Sequence, residues 1–473
     1  MAKKKNNKSK MSFMKYLSIF LLIVSVLILV LVYFINVLPI DYFIVLVVLV
    51  LIIDLVVVKL LLGSGKIRNV IGVILSIILI IIMVFGITYE LNTIDFLKQF
   101  GFNTYKEEVY NVLVLDESEY EELNDLDNAT IGHLDENVHE GLNSAIEKID
   151  QQIDFESVVL DDINSLVDNL EIEEVDAIIL EDAQITMLEE DNNGLMDNFR
   201  IIASFDIETE IEVVSKEVNV TEDSYNILIT GIDSYGSITR VSRSDVNMIV
   251  SVNPKDKKIL LTSIPRDYYV YLSDYGDYDK LTHTGIYGID VTTKALEDLL
   301  DIDINYYVKV NFTTLVDIVD ELGGITVNSN YDFTSIDGYH FSKGENNLNG
   351  KEALSFARER QAFSEGDRVR VENQQLVLTA IINKALSPSI ITNYNSLLNA
   401  LSGEFLTNIT NKEITDLIKW QIDGMYSWDI ETISLDGSNA FDYTYSYKNQ
   451  KLYVMMPYPE SVNSAKEKIN SVL

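Results

Sequence analysis

Apolar residues are distributed unevenly along this chain. Near the N-terminus they form three almost unbroken runs, at residues 16–38, 40–58 and 70–89, each close to the roughly 20 residues an α-helix needs to cross a hydrocarbon core. Three transmembrane helices are therefore expected within 16–90, after a basic tail at 1–15. The first run follows Lys3, Lys4, Lys5, Lys8 and Lys10, as the apolar part of a signal peptide would. It is too long, ends at no small-residue cleavage site and is succeeded by two more runs, so it is read as an uncleaved span. Lys59, Lys66 and Arg68 lie in the connector before the third run, whereas NVLPIDYF between the first two has no cation. The positive-inside rule then places the N-terminus and that connector in the cytoplasm and everything after Tyr89 outside. Asp54, inside the second run, reads equally as a functional intramembrane acid or as a helix-packing residue.

Beyond residue 91 the apolar runs shorten and alternate. VYNVLVL and VDAIIL read as strands; HEGLNSAIEKIDQQI and VVLDDINSLVDNL read as amphipathic helices; FRIIASFDIETEIEVV alternates like an exposed strand. These predict an α/β accessory domain over 91–219, and the polar stretch 215–224 reads as a linker. A second domain follows over 225–390, continuing through 391–473. YNILITGI, VNMIVSV and KILLTSI are its first strands, the last two joined by the turn NPKDKK. Helical patterns follow at TTKALEDLL, at NFTTLVDIVDEL before Gly323-Gly324, at GKEALSFAR and at RVRVENQQLVLTAIINKAL. Strands interleaved with helices give an α/β/α domain, a central mixed sheet covered on both faces.

Charge sharpens this reading. The 473 residues carry 36 Lys+Arg against 73 Asp+Glu, a formal net charge of -37, which argues against nucleic acid as a partner because that needs a broad basic face. With no cysteine, neither a disulfide framework nor a thiolate metal site can form, and an exported chain of this kind suits a Gram-positive type of envelope. His133 and His139 are six apart without supporting ligands, so no zinc site is expected there.

Arginine is rare and placed selectively. It occurs at 68, 200, 240, 243, 266, 358, 360, 368 and 370, so all but the first two fall in the second domain. A guanidinium is a planar fork matched to phosphate or carboxylate, and such placement points to oxyanion recognition; structural salt bridges on an acidic surface are the alternative. Asp233 ends the first strand and Asp245 opens the second. If the two pair as a hairpin, both acids lie at one sheet edge beside Arg240 and Arg243, and the antiparallel third strand returns Arg266 and Asp267 to that edge. Hard carboxylates of this kind suit Mg²⁺ (or Mn²⁺), although two acids alone are as readily caps or salt bridges. In FARERQAFSEGDRVRVENQQ, Arg358 and Arg360 cannot face the same way on one helix, so Arg360 is assigned to the following loop. Asp367 is the expected N-cap of the next helix, with Asp367, Arg370 and Gln374 on one stripe and Arg368 off it. A helix N-terminus also favours an anion, though the stripe reads equally as a polar outer face.

Taken together these residues resemble the LytR-CpsA-Psr family. The resemblance covers about 225–386 and is carried by NILITGID, RSDVNMIVSVNP, SIPRD, KLTHTGIYG, VDELGGITV, LNGKEALSFARER and GDRVRVENQQ, in that order. The three-span anchor and the intervening domain resemble its capsule-associated branch. The resemblance implies a Mg²⁺-dependent phosphotransferase. A glycopolymer, capsular polysaccharide or teichoic acid, would move from undecaprenyl pyrophosphate to a peptidoglycan hydroxyl, leaving a phosphodiester and lipid phosphate, with the polyprenyl tail in an apolar tunnel between sheet and helices. By the same resemblance Asp233 and Asp245 hold the metal. Arg243, Arg266, Lys280, Arg358, Arg360, Arg370 and Gln374 bind pyrophosphate and head group, and Arg266, Arg370, Asp267 and Asp367 are the catalytic candidates. Either of those two acids is a candidate general base or a group that orients the arginines. His283 is read as structural. Implied partners are the lipid-linked glycan, the peptidoglycan acceptor and membrane lipid. Simple hydrolysis of the lipid pyrophosphate, a transcriptional-attenuator role and a non-catalytic polyprenyl-lipid or glycan-binding module are the alternatives.

Overall fold

The three apolar runs become three helices in the computed structural model, which describes all residues but 1, 36–37, 100–104, 136–139, 192–193, 211–215, 233–236, 365 and 388–404. They are α1 (Ala2–Ile35), α2 (Ile40–Leu62) and α3 (Lys66–Gln99). Within them Phe13–Ile35, Ile40–Leu62 and Lys66–Thr88 have mean hydropathies of 3.1, 3.2 and 3.3 and are long and apolar enough to cross a membrane. Leu21, Val24, Val57, Leu61 and Met83 pack between the helices, while Phe20, Leu55 and Phe85 point outward; helices apolar all round suit a lipid surrounding. Asp54 is buried on the face of α2 that also carries Val50, Val57 and Leu61, so it belongs to the helix-packing side. The connector is shorter than the sequence suggests. Lys66 and Arg68 already lie in α3, since helical hydrogen bonding continues into the flanking polar residues.

The chain divides into two units. One holds residues 1–101, 384–403 and 410–427, and the other holds 102–383, 404–409 and 428–473. The second contains two mixed sheets. The first sheet is built from β1 (Tyr105–Leu115), β2 (Thr130–His133), β3 (Glu156–Val159), β4 (Ala177–Glu181) and β5 (Phe199–Glu210), in the order β3-β2-β4-β1-β5. Helices α4 (Glu140–Asp150), α5 (Ile163–Glu171) and α6 (Asp182–Asp191) accompany it. The stretch read as one helix from VVLDDINSLVDNL divides. Its β-branched start belongs to β3, and Asp162 then caps α5 by accepting the Ser165 N–H at 3.0 Å. His133 is buried, with Nδ1 2.7 Å from the Leu134 carbonyl and Nε2 2.5 Å from Ser157 Oγ. It is a satisfied core residue; His139 lies outside the described residues.

The second sheet begins with β6 (Tyr225–Gly231), β7 (Val246–Asn253) and β8 (Lys258–Ile264), paired antiparallel in sequence. A hairpin of β9 (Tyr269–Leu272) and β10 (Asp277–Lys280) follows, then α7 (Thr284–Tyr287), α8 (Ile289–Leu300) and β11 (Tyr306–Val310), which lies parallel to β6. Next come α9 (Phe312–Glu321), β12 (Ile325–Ser329), β13 (Phe333–Thr334), β14 (His340–Phe341), β15 (Gly344–Leu348), α10 (Gly350–Arg358) and α11 (Asp367–Ala385). Finally β16 (Leu406–Thr407) and β17 (Asp429–Ser434) close the sheet as β16-β11-β6-β7-β8-β17, and β18 (Gly437–Tyr443) pairs with β19 (Lys451–Pro457). One sheet face, with Leu228, Ile249 and Leu260, packs on α8 and the C-terminal helix Pro459–Val472. On the other side α9, α10 and α11 form a separate core with the short strands through Val319, Phe333, Phe356 and Val377. Gln375 on α11 reaches Ser263 Oγ at 3.0 Å and the Ile433 carbonyl at 2.7 Å, tying that layer to the sheet.

The two sheets are joined. Val241 N–H donates to the Glu107 carbonyl at 2.8 Å, and Arg240 pairs with Asp182 at 2.9 Å. Val241, Ile286, Tyr447 and Leu452 share a core with Leu113, Leu166 and Leu188. Arg240 is thus occupied at this junction rather than beside Asp245.

Candidate functional site

The β6–β7 hairpin sets the geometry. Gly231 lies opposite Val246, where a Cβ would come within 2.9 Å of the Val246 Cβ, and the Asp245 N–H donates to the Gly231 carbonyl at 2.9 Å. This close approach fixes the buried Asp245 at the strand edge. β8 runs back beside β7, so the residues after Ile264 return to the same edge, and Arg266 Nη1 donates to Asp245 Oδ1 at 2.8 Å. Thr282 Oγ1 donates to the same oxygen at 3.1 Å. Arg243 Nη2 stands 3.8 Å from Oδ2. Asp267 lies 3.7 Å from Arg266 Nε and 3.6 Å from Lys280 Nζ, the latter positioned by the Tyr269–Lys280 register of the β9–β10 hairpin. Opposite charges thus alternate along Asp245, Arg266, Asp267 and Lys280. His283 is buried against Asp279 at 2.7 Å and holds this loop.

The other wall comes from α10 and α11. A capping box of Asn349 and Glu352 starts α10, which ends at Arg358; Glu359 is extended, so Arg360 falls in the loop. The buried Glu359 accepts the Ile336 N–H at 2.7 Å and the Ala362 N–H at 2.8 Å, fixing the segment that carries both arginines. The Arg358 guanidinium lies 4.1 Å from the centroid of the Phe312 ring, a cation–π contact. Asp367 is not the N-cap that its position suggested. It is the first residue inside α11, preceded by Gly366 at φ 36°, and its carboxylate pairs with Arg370 instead. Arg368 is exposed and 3.9 Å from Glu372.

Between the sheet and the α9–α11 layer lies a cavity of about 360 Å³. Ile229, Met248, Leu315, Val377, Leu378 and Ile381 give it apolar walls, and Asp245, Arg266, Arg358, Arg360, Arg370 and Gln374 also line it. An apolar interior with convergent polar groups is the usual form of a small-molecule site. Arg370 is buried, and its Nε has no hydrogen-bond partner among the described residues. Burial pushes its pKa down, Asp367 opposes this, and the neighbouring Arg266 and Arg360 add to it. A guanidinium cannot relieve such strain by losing its proton at ordinary pH, so an anion between these arginines is favoured. Arg243, Lys280 and Asp267 stand around Arg266 and Asp245 outside the cavity lining. Asp367 borders a neighbouring cavity of about 570 Å³ with Pro265, Gln375 and Met455. Asp233 lies outside the described residues.

Asp245 also decides what metal chemistry fits. Its Oδ1 is taken by Arg266 and Thr282, whereas Oδ2 meets Arg243 only at 3.8 Å. One hard carboxylate oxygen facing an anion site suits Mg²⁺, which takes further ligands from water and substrate phosphate. Among the described residues no three His, Asp or Glu side chains gather as a metal cluster. Thr282, Phe312 and Glu359 were not singled out from the sequence as site residues. Glu359 between two arginines in FARER was the one available signal.

The model of the LytR_cpsA_psr family matches residues 199–459. The polyisoprenyl-teichoic acid–peptidoglycan teichoic acid transferase TagU of Bacillus subtilis (strain 168) is 39% identical over 204 residues, covering 43% of this chain and 66% of that protein, just under two thirds. The protein of the same name in Bacillus cereus (strain AH820) is 35% identical over 235 residues, 50% of this chain and 76% of its own. The crystal structure of B. subtilis TagV is similar at a TM-score of 0.46 and 31% identity, covering 53% of this chain and 98% of that one. The family match takes in both walls of the cavity and more than half of the sequence: the chain belongs to the LytR-CpsA-Psr family.

Proposed function

We propose that the chain is a membrane-anchored phosphotransferase that moves a glycopolymer from a polyisoprenyl pyrophosphate to a hydroxyl of peptidoglycan. One observation carries this reading: four arginines, Arg266, Arg358, Arg360 and Arg370, converge on a cavity whose remaining walls are largely apolar. That combination suits an amphiphile with a multiply charged head and a hydrocarbon tail. The Bacillus relatives are named as teichoic acid transferases to peptidoglycan, which favours teichoic acid over capsular polysaccharide as the polymer. The positive-inside pattern favours a cytoplasmic N-terminus with the site outside.

In this reading the tail enters between Met248 and α11 while the arginines neutralise the pyrophosphate, the main requirement of phosphoryl transfer. Asp245 holds Arg266 in place. Asp245, through its Oδ2, would hold a Mg²⁺ ion, which would supply further charge neutralisation on the phosphates. The acceptor oxygen bonds to the phosphorus that carries the glycan, the bond between the two phosphates breaks, and polyisoprenyl phosphate departs with the electron pair. Asp267 is held between Arg266 and Lys280 and orients them. Asp367 pairs with Arg370 and is 44% exposed on the neighbouring cavity; in this reading it receives the acceptor proton.

The test is incubation of the full chain, in detergent micelles, with a polyprenyl-pyrophosphate glycan, Mg²⁺ and peptidoglycan. Covalent attachment with release of one lipid phosphate per glycan is expected. Lipid phosphate released without attachment would leave a pyrophosphatase, and donor binding without turnover would leave a binding module.

A further inference from the structure

The β9–β10 and β18–β19 hairpins expose an aromatic surface that the lipid site does not use. Tyr271 and Tyr278 are 44% and 45% exposed, and Phe441 and Tyr443 are 66% and 49% exposed. Packing within the domain does not need these rings, because the core is filled from the opposite faces of the two hairpins, by Val270 and Leu272 on β9 and by Leu452 and Val454 on β19. Contiguous exposed rings of this kind mark an interaction surface.

The rings are held in place before any partner arrives. Tyr278 stacks on Tyr269 with centroids 5.0 Å apart and meets Tyr271 at 5.1 Å, while Phe441 meets Tyr453 at 6.0 Å. Tyr269 Oη donates to the Tyr443 carbonyl at 2.7 Å, fastening one hairpin to the other. Little side-chain freedom is left to lose on binding.

The surface also runs into the candidate site. On β19, Met455 donates its N–H to the Asp267 carbonyl at 2.7 Å and lines the cavity that Asp367 borders. At the other hairpin, Lys280 at the end of β10 pairs with Asp267. The aromatic rings therefore lead to the two carboxylates from strands that do not line the lipid cavity. An acceptor must enter roughly in line with, and opposite to, the departing lipid phosphate.

We infer that this aromatic surface binds the sugar backbone of the acceptor peptidoglycan strand and feeds its hydroxyl toward Asp367. The inference rests on the transferase reading above. A pyranose presents a flat C–H face that stacks on an aromatic ring, and its hydroxyls find partners in Asn439 and the Tyr453 hydroxyl, on the same face of β18–β19 as Phe441 and Tyr443. Lys451 is paired with Asp442 at 3.6 Å and lies over the Tyr443 ring, and Lys280 is paired with Asp267, so the cations beside the rings are already matched and give a polyanionic polymer or an anionic membrane surface little to bind. Charge therefore favours the uncharged sugar backbone over either.

The full chain in detergent micelles is sedimented with peptidoglycan sacculi stripped of attached polymer. For the double variant Tyr271→Ala/Phe441→Ala, binding about tenfold weaker is expected from the loss of two stacking rings. Binding of a polyprenyl pyrophosphate should be retained, which also reports the fold, and Phe441→Trp should keep sacculus binding. Unchanged sedimentation of the Ala variant would overturn the assignment. So would a loss confined to phospholipid vesicles or to soluble teichoic acid. No turnover is required in this assay, so a wild-type chain that binds sacculi through these rings yet transfers nothing would count against the transferase reading alone.

Discussion

The two sheets of the second unit bury charge in opposite ways. In the first sheet the buried charge-bearing groups include the acids Glu108 and Glu181. Glu108 accepts hydrogen bonds from Thr209 at 2.7 Å and Tyr110 at 3.2 Å, and Glu181 accepts the Ala183 N–H at 2.8 Å. Burial pushes the Glu181 carboxyl up to about 8. In the second sheet the buried groups include Arg243 and Arg370 beside Asp245. A carboxyl deprived of water can take a proton and become neutral, whereas a guanidinium cannot lose one. The first arrangement is therefore self-sufficient and the second calls for an external anion. That contrast is why the proposed transfer is assigned to one of two sheets otherwise built alike from strands and covering helices.

The largest effect is expected where the contrast is sharpest. Arg266→Ala removes both a phosphate donor and the partner of Asp245, and a loss of about 10²–10³ in transfer rate follows from deleting one such electrostatic contact. Asp245→Ala should fall as far. Arg266→Lys keeps the charge but not the planar fork and should recover only part of the rate. Single-turnover rates with lipid-linked glycan measure all three, and wild-type rates in either alanine variant would remove the site from this edge of the sheet.

Much of this edge was legible in the sequence because strand pairing is a local rule. Three successive antiparallel strands return Asp245, Arg266 and Asp267 to one end, and the observed registers of β6, β7 and β8 do so. The break after Arg358 followed from two arginines spaced two apart. What the sequence hid is which of several partners, near or far, a charged side chain takes. Asp367 looked like a cap because Asp after Gly commonly is one, but its carboxylate turns to Arg370 one helical turn on. Arg240 was grouped with Arg243 by proximity, yet it pairs with Asp182, 58 residues away. β11, β16 and β17 were not singled out as strands. β16 has only two residues, and β17, DIETIS, is a polar edge strand without an apolar face to read.

Next in size is the cavity itself. Leu378→Trp or Ile229→Trp fills part of the 360 Å³ space without touching an arginine. Donors with long polyprenyl chains should then lose about tenfold in affinity while short-chain donors keep theirs, since overpacking costs of order 1–3 kcal/mol only where the tail must fit. Equal losses for both chain lengths would mean that the tail lies elsewhere. The loop arginine tests the head-group side. Arg360 is exposed and lines the cavity, whereas Arg368 is exposed and does not. Arg360→Ala should raise the KM for donor about fivefold to tenfold, as for a charge-assisted contact partly screened by water, and Arg368→Ala should leave it unchanged.

The smallest effect belongs to the first sheet and concerns stability rather than rate. Glu181 titrates near 4.5 when unfolded and about 8 when folded, with burial the main cause and Glu108 and Asp182 adding to it. Between those values the folded chain keeps a proton that the unfolded chain has released. Stability is therefore full below about 4.5 and falls as pH rises toward about 8. Glu181→Gln stays neutral throughout, and its carbonyl can still accept the Ala183 N–H. At pH 8 the variant should be the more stable chain, by on the order of a few kcal/mol, while near pH 5 the two should nearly coincide. Thermal denaturation of the detergent-solubilised chain across pH 5 to 8 measures the crossing. A wild-type midpoint that rises with pH would mean that Glu181 stays charged in the folded chain. The two sheets would then no longer differ in how they accommodate buried charge, and the contrast would no longer single out the arginine cluster.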